Sequence, residues 1–519
     1  MQERLLEIAE AVMPVAREAG EAVVAVPKLK AIERRQIVCA PLDVDTLVSG
    51  DHKVRAIWEL TGRLKLDSFL AAVKSKKGHA GREHFDPRLL IAIWMYAYSE
   101  GISSAREVSR QMEYEPALRW LGNLEVVNHT TLSDFRKDHS AALEMIFSDH
   151  LAMLDQAGLI DLETVMHDGT KIQAQCSSHS FRHEKTLRER LEQARQVVGE
   201  LSDPEDDSLP TRREARRRRA AEQRLRVLEE AAAELQRIQQ SAPDKKEVRV
   251  SVSEPEARFM RHGGTGGLAP SYNVQLTTDA KQKVIVAADL NQCSSDAGVV
   301  LGEVVAQVET QFQRRPAEMV VDAGFTSHRN IRELAAAGVR LLGPVADTAE
   351  RQEAARKASG IAEEFRAECF QRSTEEDCLL CPAGETLPLL RHNHKRGNTY
   401  HVYQAPGAIC SQCEFRSQCC PKHSDKGRSV SILIREDELV AAHRKIMASA
   451  AAQTAYKRRS AVAETPNAWI KEKFGLRKFR LRGLRKVRTE MLWACLTYNV
   501  MQWVRLVWRP QPSLLCSAA

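Results

Sequence analysis

No stretch of this sequence is apolar enough to leave water. Residues 1–26 carry acids throughout and lack a continuous apolar segment, so no export signal is expected. The most apolar late segment, 491–508, contains Thr497, Asn499, Gln502 and Arg505 and is too short and too polar for a membrane span. It reads as a buried amphipathic helix, and no membrane partner is expected. A disulfide framework is not indicated either. Twelve cysteines in 519 residues, several in CxxC spacing, fit metal binding in a reducing compartment. Nor is there a large net charge; the formal value is +7.

What is present is a chain long enough for about three domains. Its apolar fraction of 43% is ordinary for a protein with a real core. The charge is unevenly placed. Residues 456–488 hold twelve basic and two acidic residues, a net of +10, which leaves the rest of the chain slightly negative. Such a block is the electrostatic footprint of a phosphate-binding surface. A solvated charged face is the plainer reading. The two carboxylates, Glu464 and Glu472, and the interleaved apolar residues favour nucleic-acid contact.

Residues 1–44 are weakly patterned and read as an arm or a peripheral helix. Residues 45–155 read as helical, with apolar residues at three- and four-residue spacing. Asp86-Pro87 suits a helix start, Ser103 or Ser104 the next, and Thr130 to Arg136 looks like a capped helix entering with hydroxyls and an arginine. Short helices in series fit a helix-turn-helix-like DNA reader. They fit a plain bundle used for packing or dimerisation equally well.

From residue 156 the pattern changes. Thr164–Met166 reads as a short strand ending at His167-Asp168-Gly169. Tyr272–Thr277 and Val284–Ala288 read as strands, Asp296–Gln311 as a helix, Glu318–Val321 as a strand ending at Asp322, His328–Ala337 as a helix and Val339–Leu342 as a strand. This order matches a ribonuclease H-like α/β core over 156–345, with acids at the ends of its first and fourth strands. Residues 181–250, strongly charged, with Leu225, Leu228, Leu235 and Ile238 at helical spacing, predict a helical hairpin inserted in that core. Residues 346–430 carry the cysteine cluster and look loop-rich. Residues 431–510 return to the core with the basic segment.

Two-metal phosphoryl transfer needs several carboxylates converging on ions about 3.5–4 Å apart. Mg²⁺ or Mn²⁺ suits oxygen ligands. Asp168 and Asp322 each follow an apolar strand, and the glycine close after each would let DNA approach the backbone. Taken alone, an Asp at a strand end is usually a turn residue. The third acid is expected on a later helix. Glu464 is preferred, with Glu472 and Glu490 as competitors. Pro466 either begins a new helix capped by Thr465 or kinks a longer one.

HDGTK, SEPEARFM at 253–260, PSYNVQLTTDA at 270–280, VVDAGF and the YKRR…E…K run together resemble bacterial insertion-sequence transposases of the DDE class. The resemblance covers about residues 45–510 and is closest to the subgroup with an all-α N-terminal domain and a cysteine-bearing insertion. The run RGLRKV…E…YN (482–499) resembles that family's C-terminal end. The family's signature of a Tyr, an Arg three residues on, a catalytic Glu and a Lys seven residues further falls on Tyr456, Arg459, Glu464 and Lys471. The resemblance implies Asp168, Asp322 and Glu464 as metal-holding catalytic acids. It implies hydrolysis at transposon ends and strand transfer of the freed 3′-hydroxyls into target DNA. Tyr456, Arg459 and Lys471, with Lys478 and Arg482 from the basic segment, would contact DNA; plain helix packing is the other reading of Tyr456. The partners implied are double-stranded DNA, as terminal inverted repeats and target, and a second copy in a homodimer. The location implied is the bacterial cytoplasm, on the nucleoid.

Cys378 and Cys381 form one CxxC pair, Cys410 and Cys413 a second, and Cys419 and Cys420 follow. Two such pairs separated by a loop have the spacing of a zinc ribbon. Cys381, Cys410, Cys413 and Cys419 are the preferred ligands of a structural Zn²⁺, with Cys378 able to replace Cys381 or Cys419. Unliganded buried thiols are the alternative. A nuclease on the same core that cuts without joining, or an inactive DNA-binding relic, would share most of these features.

Overall fold

The apolar run at Thr164 opens strand β1 (Thr164–Gln173), which continues well past the end expected from sequence. Its neighbours explain the length. On one side β1 pairs antiparallel with β5 (Leu268–Asp279) from Val165 opposite Asp279 to Gln173 opposite Ser271. On the other it pairs parallel with β7 (Glu318–Val321), and only as far as His167 opposite Val321. Asp168 therefore lies within the strand rather than at its end, at the first position beyond β7. The computed structural model describes residues 41–73, 83–201, 211–241, 248–262, 267–345, 357–373, 377–395, 398–421 and 426–510. The expected arm 1–44 falls almost wholly outside them. Residues 44–519 form one compact unit, considered from here on.

The sheet runs β6 (Ile285–Asn291), β5, β1, β7 and β8 (Arg340–Leu342), with β4 (Arg258–Arg261) beside the first residues of β5 on the β6 side. The pairs β6–β5 and β5–β1 are antiparallel, and β1–β7 and β7–β8 parallel. β5 is the middle strand, and from Pro270 onward it is buried on both faces. One of its faces is nevertheless polar, with Asn273, Gln275 and Thr277 alternating with Val274 and Leu276.

The register places His167 and Gly169 on one face of β1, where the ring of Phe325 meets His167 edge-on. On that side run α6 (Leu301–Phe312) and α7 (His328–Ala336). The opposite face carries Met166, Val320 and Leu342, packed against Met447, Ala452, Val462 and Ala463. Those four come from α8 (Glu438–Met447), α9 (Ala450–Lys457) and α10 (Arg459–Ala468).

Two features interrupt the sheet. Between β2 (Phe181–His183) and β3 (Arg249–Ser251), which pair with each other, stand α4 (Glu184–Glu200) and α5 (Arg212–Ser241). Leu187, Ala194, Leu228, Ala231 and Leu235 bury against one another there, so this segment is the hairpin its leucine spacing predicts. The cysteine region departs from its loop-rich expectation. It is an antiparallel sheet of β9 (Gln371–Arg372), β10 (Cys378–Leu380), β11 (Thr386–Lys395), β12 (Asn398–Gln404) and β13 (Ser429–Arg435). Its core is small: Phe370, Leu379, Leu387, Tyr403, Ala405 and Val430.

Residues 44–156 are helical, including α1 (Pro87–Ser99), α2 (His129–Asp138) and α3 (Ser140–Gln156). Asp86 caps α1 with Pro87 in its first turn, and Ser104 caps the next helix. Asn128, not the Thr130 hydroxyl, caps α2. The last helix, α11 (Leu484–Leu506), packs on α1 and α3 and carries Asn499 to the free edge of β6. There the Asn499 amide accepts from the Ile285 N–H at 2.9 Å and donates to the Ile285 carbonyl at 2.8 Å, closing that edge. Among the described residues no helix is long and apolar enough to cross a membrane.

His150, on α3, is wholly buried, and burial lowers its imidazole pKa to about 4. In the unfolded chain it titrates near 6.5. The unfolded state thus binds more protons between those values, and stability is lost as pH falls from about 6.5 towards 4. Protonating the buried ring costs on the order of 3 kcal/mol. Thermal melts across that range are expected to show a steep fall for the wild type and a shallower one for His150→Leu. Identical slopes would show that His150 does not drive the loss.

Candidate active site

β1 and β7 stop pairing at His167 and Val321, so Asp168 and Asp322 occupy the next position of each strand, side by side at an opening in the sheet. Asp322 is exposed and starts a turn; its own carboxylate accepts the Ala323 N–H at 2.7 Å. Asp168 is largely enclosed. Burial is the strongest influence on it and pushes its pKa up to about 6. The Arg459 guanidinium and the Gly169 N–H act in the opposite sense, and the carboxylates of Asp296 and Asp322 add to the rise.

α10 lies over Asp168. Arg459 approaches one carboxylate oxygen at 3.7 Å, and the Asn467 side-chain amide donates to the other at 3.0 Å. Tyr456, at the end of α9, stands between Asp322 and Arg459, its ring 6.0 Å from the guanidinium. Burial and then the Asp322 carboxylate push its hydroxyl pKa upward. Tyr456 also packs against the apolar cluster beneath α9, so contact with the acids and helix packing both hold. Lys471 is half-buried; burial and the Arg477 charge lower its pKa, and Asp168 acts to raise it.

Pro466 starts no new helix. α10 runs through it, and the Thr465 hydroxyl bonds back to the Ala461 carbonyl at 2.8 Å instead of capping. The helix then widens into a π-turn at Trp469–Lys473, so Lys471 does not continue the regular helical spacing from Glu464. Glu464 is exposed and makes no hydrogen bond or ion pair with a described residue. The structure brings Asp168, Asp322, Tyr456, Arg459 and Lys471 together, and leaves Glu464 on the helix above without contact to either aspartate.

The competitors have other work. Glu472 pairs with Arg477 at the surface. Glu490 is wholly buried and accepts the N–H groups of Arg480 and Leu481, both at 2.9 Å. Lys478 and Arg482 are exposed. Lys478 sits beyond the end of β1, where Gln173 bonds to Arg477 and Phe479, roughly 17 Å along the strand from Asp168. Arg136 does not present itself to a groove; it is buried, donating to the Ser103 carbonyl at 2.6 Å.

Sequence reasoning passed over Asn467, Asp296, Asn273 and Gln275. Pro466 drew attention away from Asn467, and Asp296 read only as a helix start. The glycine after Asp168 also has a different reason from the one expected. A side-chain carbon at Gly169 would lie 2.7 Å from Gln275 Nε2 and 2.8 Å from Asp296 Oδ1, so the protein itself already excludes one.

Cys381, Cys410, Cys413, Cys419 and Cys420 line one cavity of about 30 Å³. Cys378 instead points into the strand core. The Glu385 N–H donates to Cys381 Sγ at 3.3 Å and the Arg428 N–H to Cys410 Sγ at 3.4 Å. Burial and then its neighbour Cys420 push the Cys419 thiol up to about 12. Among the described residues, no three His, Cys, Asp or Glu side chains converge closely enough to hold a metal ion as they stand.

Residues 42–138 match a family described as Transposase domain, and residues 380–504 one described as Transposase DDE domain. The second match contains Arg459, Glu464, Asn467 and Lys471; neither reaches Asp168, Asp296 or Asp322. No curated protein matches the chain. Among solved structures, the cryo-EM structure of a piggyBac transposase synaptic complex with hairpin DNA is similar at 10% identity, over 91% of this chain and 83% of that one. Its TM-score is 0.24, too low to tie the two folds together.

Proposed function

We propose that this chain, a transposase of the DDE class, cuts the ends of its element and joins the freed 3′-hydroxyls to target DNA at the opening between β1 and β7. The observation that carries this is the pairing of Asp168 and Asp322 at one register position, beneath a helix that supplies Arg459, Asn467 and Tyr456. The strand order β6-β5-β1-β7-β8, with its change from antiparallel to parallel at β1, supports a ribonuclease H-like core.

The residues fit a divalent cation. Carboxylates crowd one another here, and buried side-chain oxygens of Asn273 and Asn467 have no partner, a donor set that suits an oxygen-preferring ion. Asp168 and Asp322 would hold Mg²⁺ or Mn²⁺, with Glu464 as the helix carboxylate, three residues from Asn467 on the same helix. Bound there, a pair of ions activates the attacking oxygen and stabilises the leaving one. The chain's own part is positional. Asn467 and Arg459 orient the Asp168 carboxylate, and Arg459 offsets its charge when no cation is bound. Tyr456 steadies Asp322, and Lys471 is placed to meet a phosphate. Lys478 and Arg482 extend a positive track along the DNA.

A joining assay tests this reading: duplex ends from the DNA flanking the gene, a supercoiled target and Mg²⁺. End oligonucleotides covalently linked to target are expected. Nicked target with no linked product would identify a nuclease instead.

The cysteine cavity is proposed as a structural Zn²⁺ site, held by Cys381, Cys410, Cys413 and Cys419 with Cys420 as the fifth thiol present. Thiolate ligands steadied by backbone N–H groups support this reading. The small apolar core of that sheet would need the metal, so a chelator is expected to open residues 370–425 to limited proteolysis and leave the rest intact. Unchanged protease resistance there would contradict it.

A further inference from the structure

The polar face of β5 is buried and incompletely satisfied. Asn273 is 0% exposed and Gln275 2%. Asn273 donates through Nδ2 to the Cys293 carbonyl at 3.1 Å and to Asp296 Oδ1 at 3.0 Å. His167 donates from Nε2 to Gln275 Oε1 at 2.9 Å, and its Nδ1 meets the Thr277 hydroxyl at 2.9 Å. These bonds fix the orientation of both amides. They leave Asn273 Oδ1 and Gln275 Nε2 without any partner. Each such atom costs about 1–3 kcal/mol when buried. Native proteins carry few of them, and a water, an ion or a functional role usually explains each one.

The unpartnered atoms point to one place. A side-chain carbon at Gly169 would meet Gln275 Nε2 at 2.7 Å, Asp296 Oδ1 at 2.8 Å and Asn273 Oδ1 at 3.1 Å. Glycine thus leaves a small notch beside Asp168, walled by two oxygen acceptors and one N–H donor. Asp296 also reaches the loop after Asp322: its Oδ2 lies 3.7 Å from where a side-chain carbon of Gly324 would be. It therefore bridges the two glycines that follow the two aspartates. Its repulsion of the Asp168 carboxylate exceeds that of Asp322.

We propose that Asp296 is a further acidic member of the cation site, held in place by Asn273, with Gln275 Nε2 aimed at a water or phosphate oxygen in the Gly169 notch. The donor chemistry commits this notch to a hydrated divalent cation: two oxygen acceptors suit the ion, and one N–H suits an oxygen bound to it. The inference rests on the reading of Asp168 and Asp322 given above. It adds a carboxylate from the turn between β6 and α6, on the opposite face of β1 from α10.

The test measures Mn²⁺ binding by the full chain, by calorimetry or electron paramagnetic resonance, alongside metal-free thermal melts. Asp296→Asn is expected to weaken Mn²⁺ binding by about tenfold or more with its metal-free melt retained. Unchanged affinity in Asp296→Asn, where Asp168→Asn loses binding, would overturn the role of Asp296 and leave the Asp168 site standing. Unchanged affinity in both would remove the site reading as well. A second measurement needs no variant. Fe²⁺-generated radicals in the wild-type chain are expected to cut near residue 296 as well as near 168 and 322; cuts at 168 and 322 alone would overturn the proposal.

Discussion

Asp168→Asn is expected to reduce strand cleavage and joining by at least about 10²–10³-fold, the cost of removing one preorganised electrostatic group from a reacting site. DNA binding should be unchanged or slightly tighter, because the basic segment makes the phosphate contacts and the substitution removes a negative charge. Stability should move against activity. Asp168 has its pKa pushed up to about 6, largely by burial, so above that pH the folded protein carries a carboxylate it would rather protonate. The neutral asparagine relieves this, and the metal-free variant is expected to melt no lower than the wild type at pH 7.5. Asp322→Asn should match it in activity. A gel assay for cleavage, a filter or polarisation assay for binding and a thermal melt together decide the matter. Loss of all three would mean that Asp168 is structural, and retained cleavage that the site lies elsewhere.

Glu490→Ala is expected to have the largest effect on stability. Glu490 is wholly buried, satisfies the Arg480 and Leu481 N–H groups through one oxygen and faces Arg136 at 3.7 Å with the other. Arg136 is buried with it, over the Trp94 ring at 4.5 Å and within 3.4 Å of the Tyr98 hydroxyl. Removing the carboxylate strands a buried guanidinium and two N–H groups, at a cost of about 3–5 kcal/mol. Urea denaturation should show this directly. Replacing both partners, as in Arg136→Met with Glu490→Leu, should recover much of the loss. The same experiment separates two glutamates that sequence could not rank. Glu490→Gln is expected to lose activity through folding, and Glu464→Gln to lose activity while keeping its full stability. An active Glu464→Gln would remove Glu464 from the site.

Strands and helices of the central sheet were legible because apolar runs of four or five residues alternate with helical spacing from residue 164 to 342. The length of β1 was not. His167, Asp168, Gly169 and Lys171 do not look like a strand, and only pairing with β5 makes them one. β11 was hidden for a related reason: its exposed residues Arg391 to Lys395 are polar, as a loop's are, and the neighbouring strands supply the structure. Arg136 looked like a surface residue of a helix because its partner Glu490 lies more than three hundred residues away.

At the site, sequence pointed to the aspartates through the strands that carry them. It also pointed to Tyr456, Arg459 and Lys471 through their spacing. Asp296 and Asn467 depend on where loops and a proline-containing helix come to lie in space, and no local pattern marks either. Glu464 is the reverse case: its sequence spacing matches the motif, and the helix leaves it exposed above the pair.

The most direct test of the central claim is metal rescue at Asp168. The joining assay is run with wild type and Asp168→Cys, first in Mg²⁺ and then in Mn²⁺, which accepts a sulfur ligand more readily. The account predicts that the wild type joins ends in both ions and that Asp168→Cys is silent in Mg²⁺ and regains joining in Mn²⁺. Undiminished joining by Asp168→Cys in Mg²⁺ would contradict it.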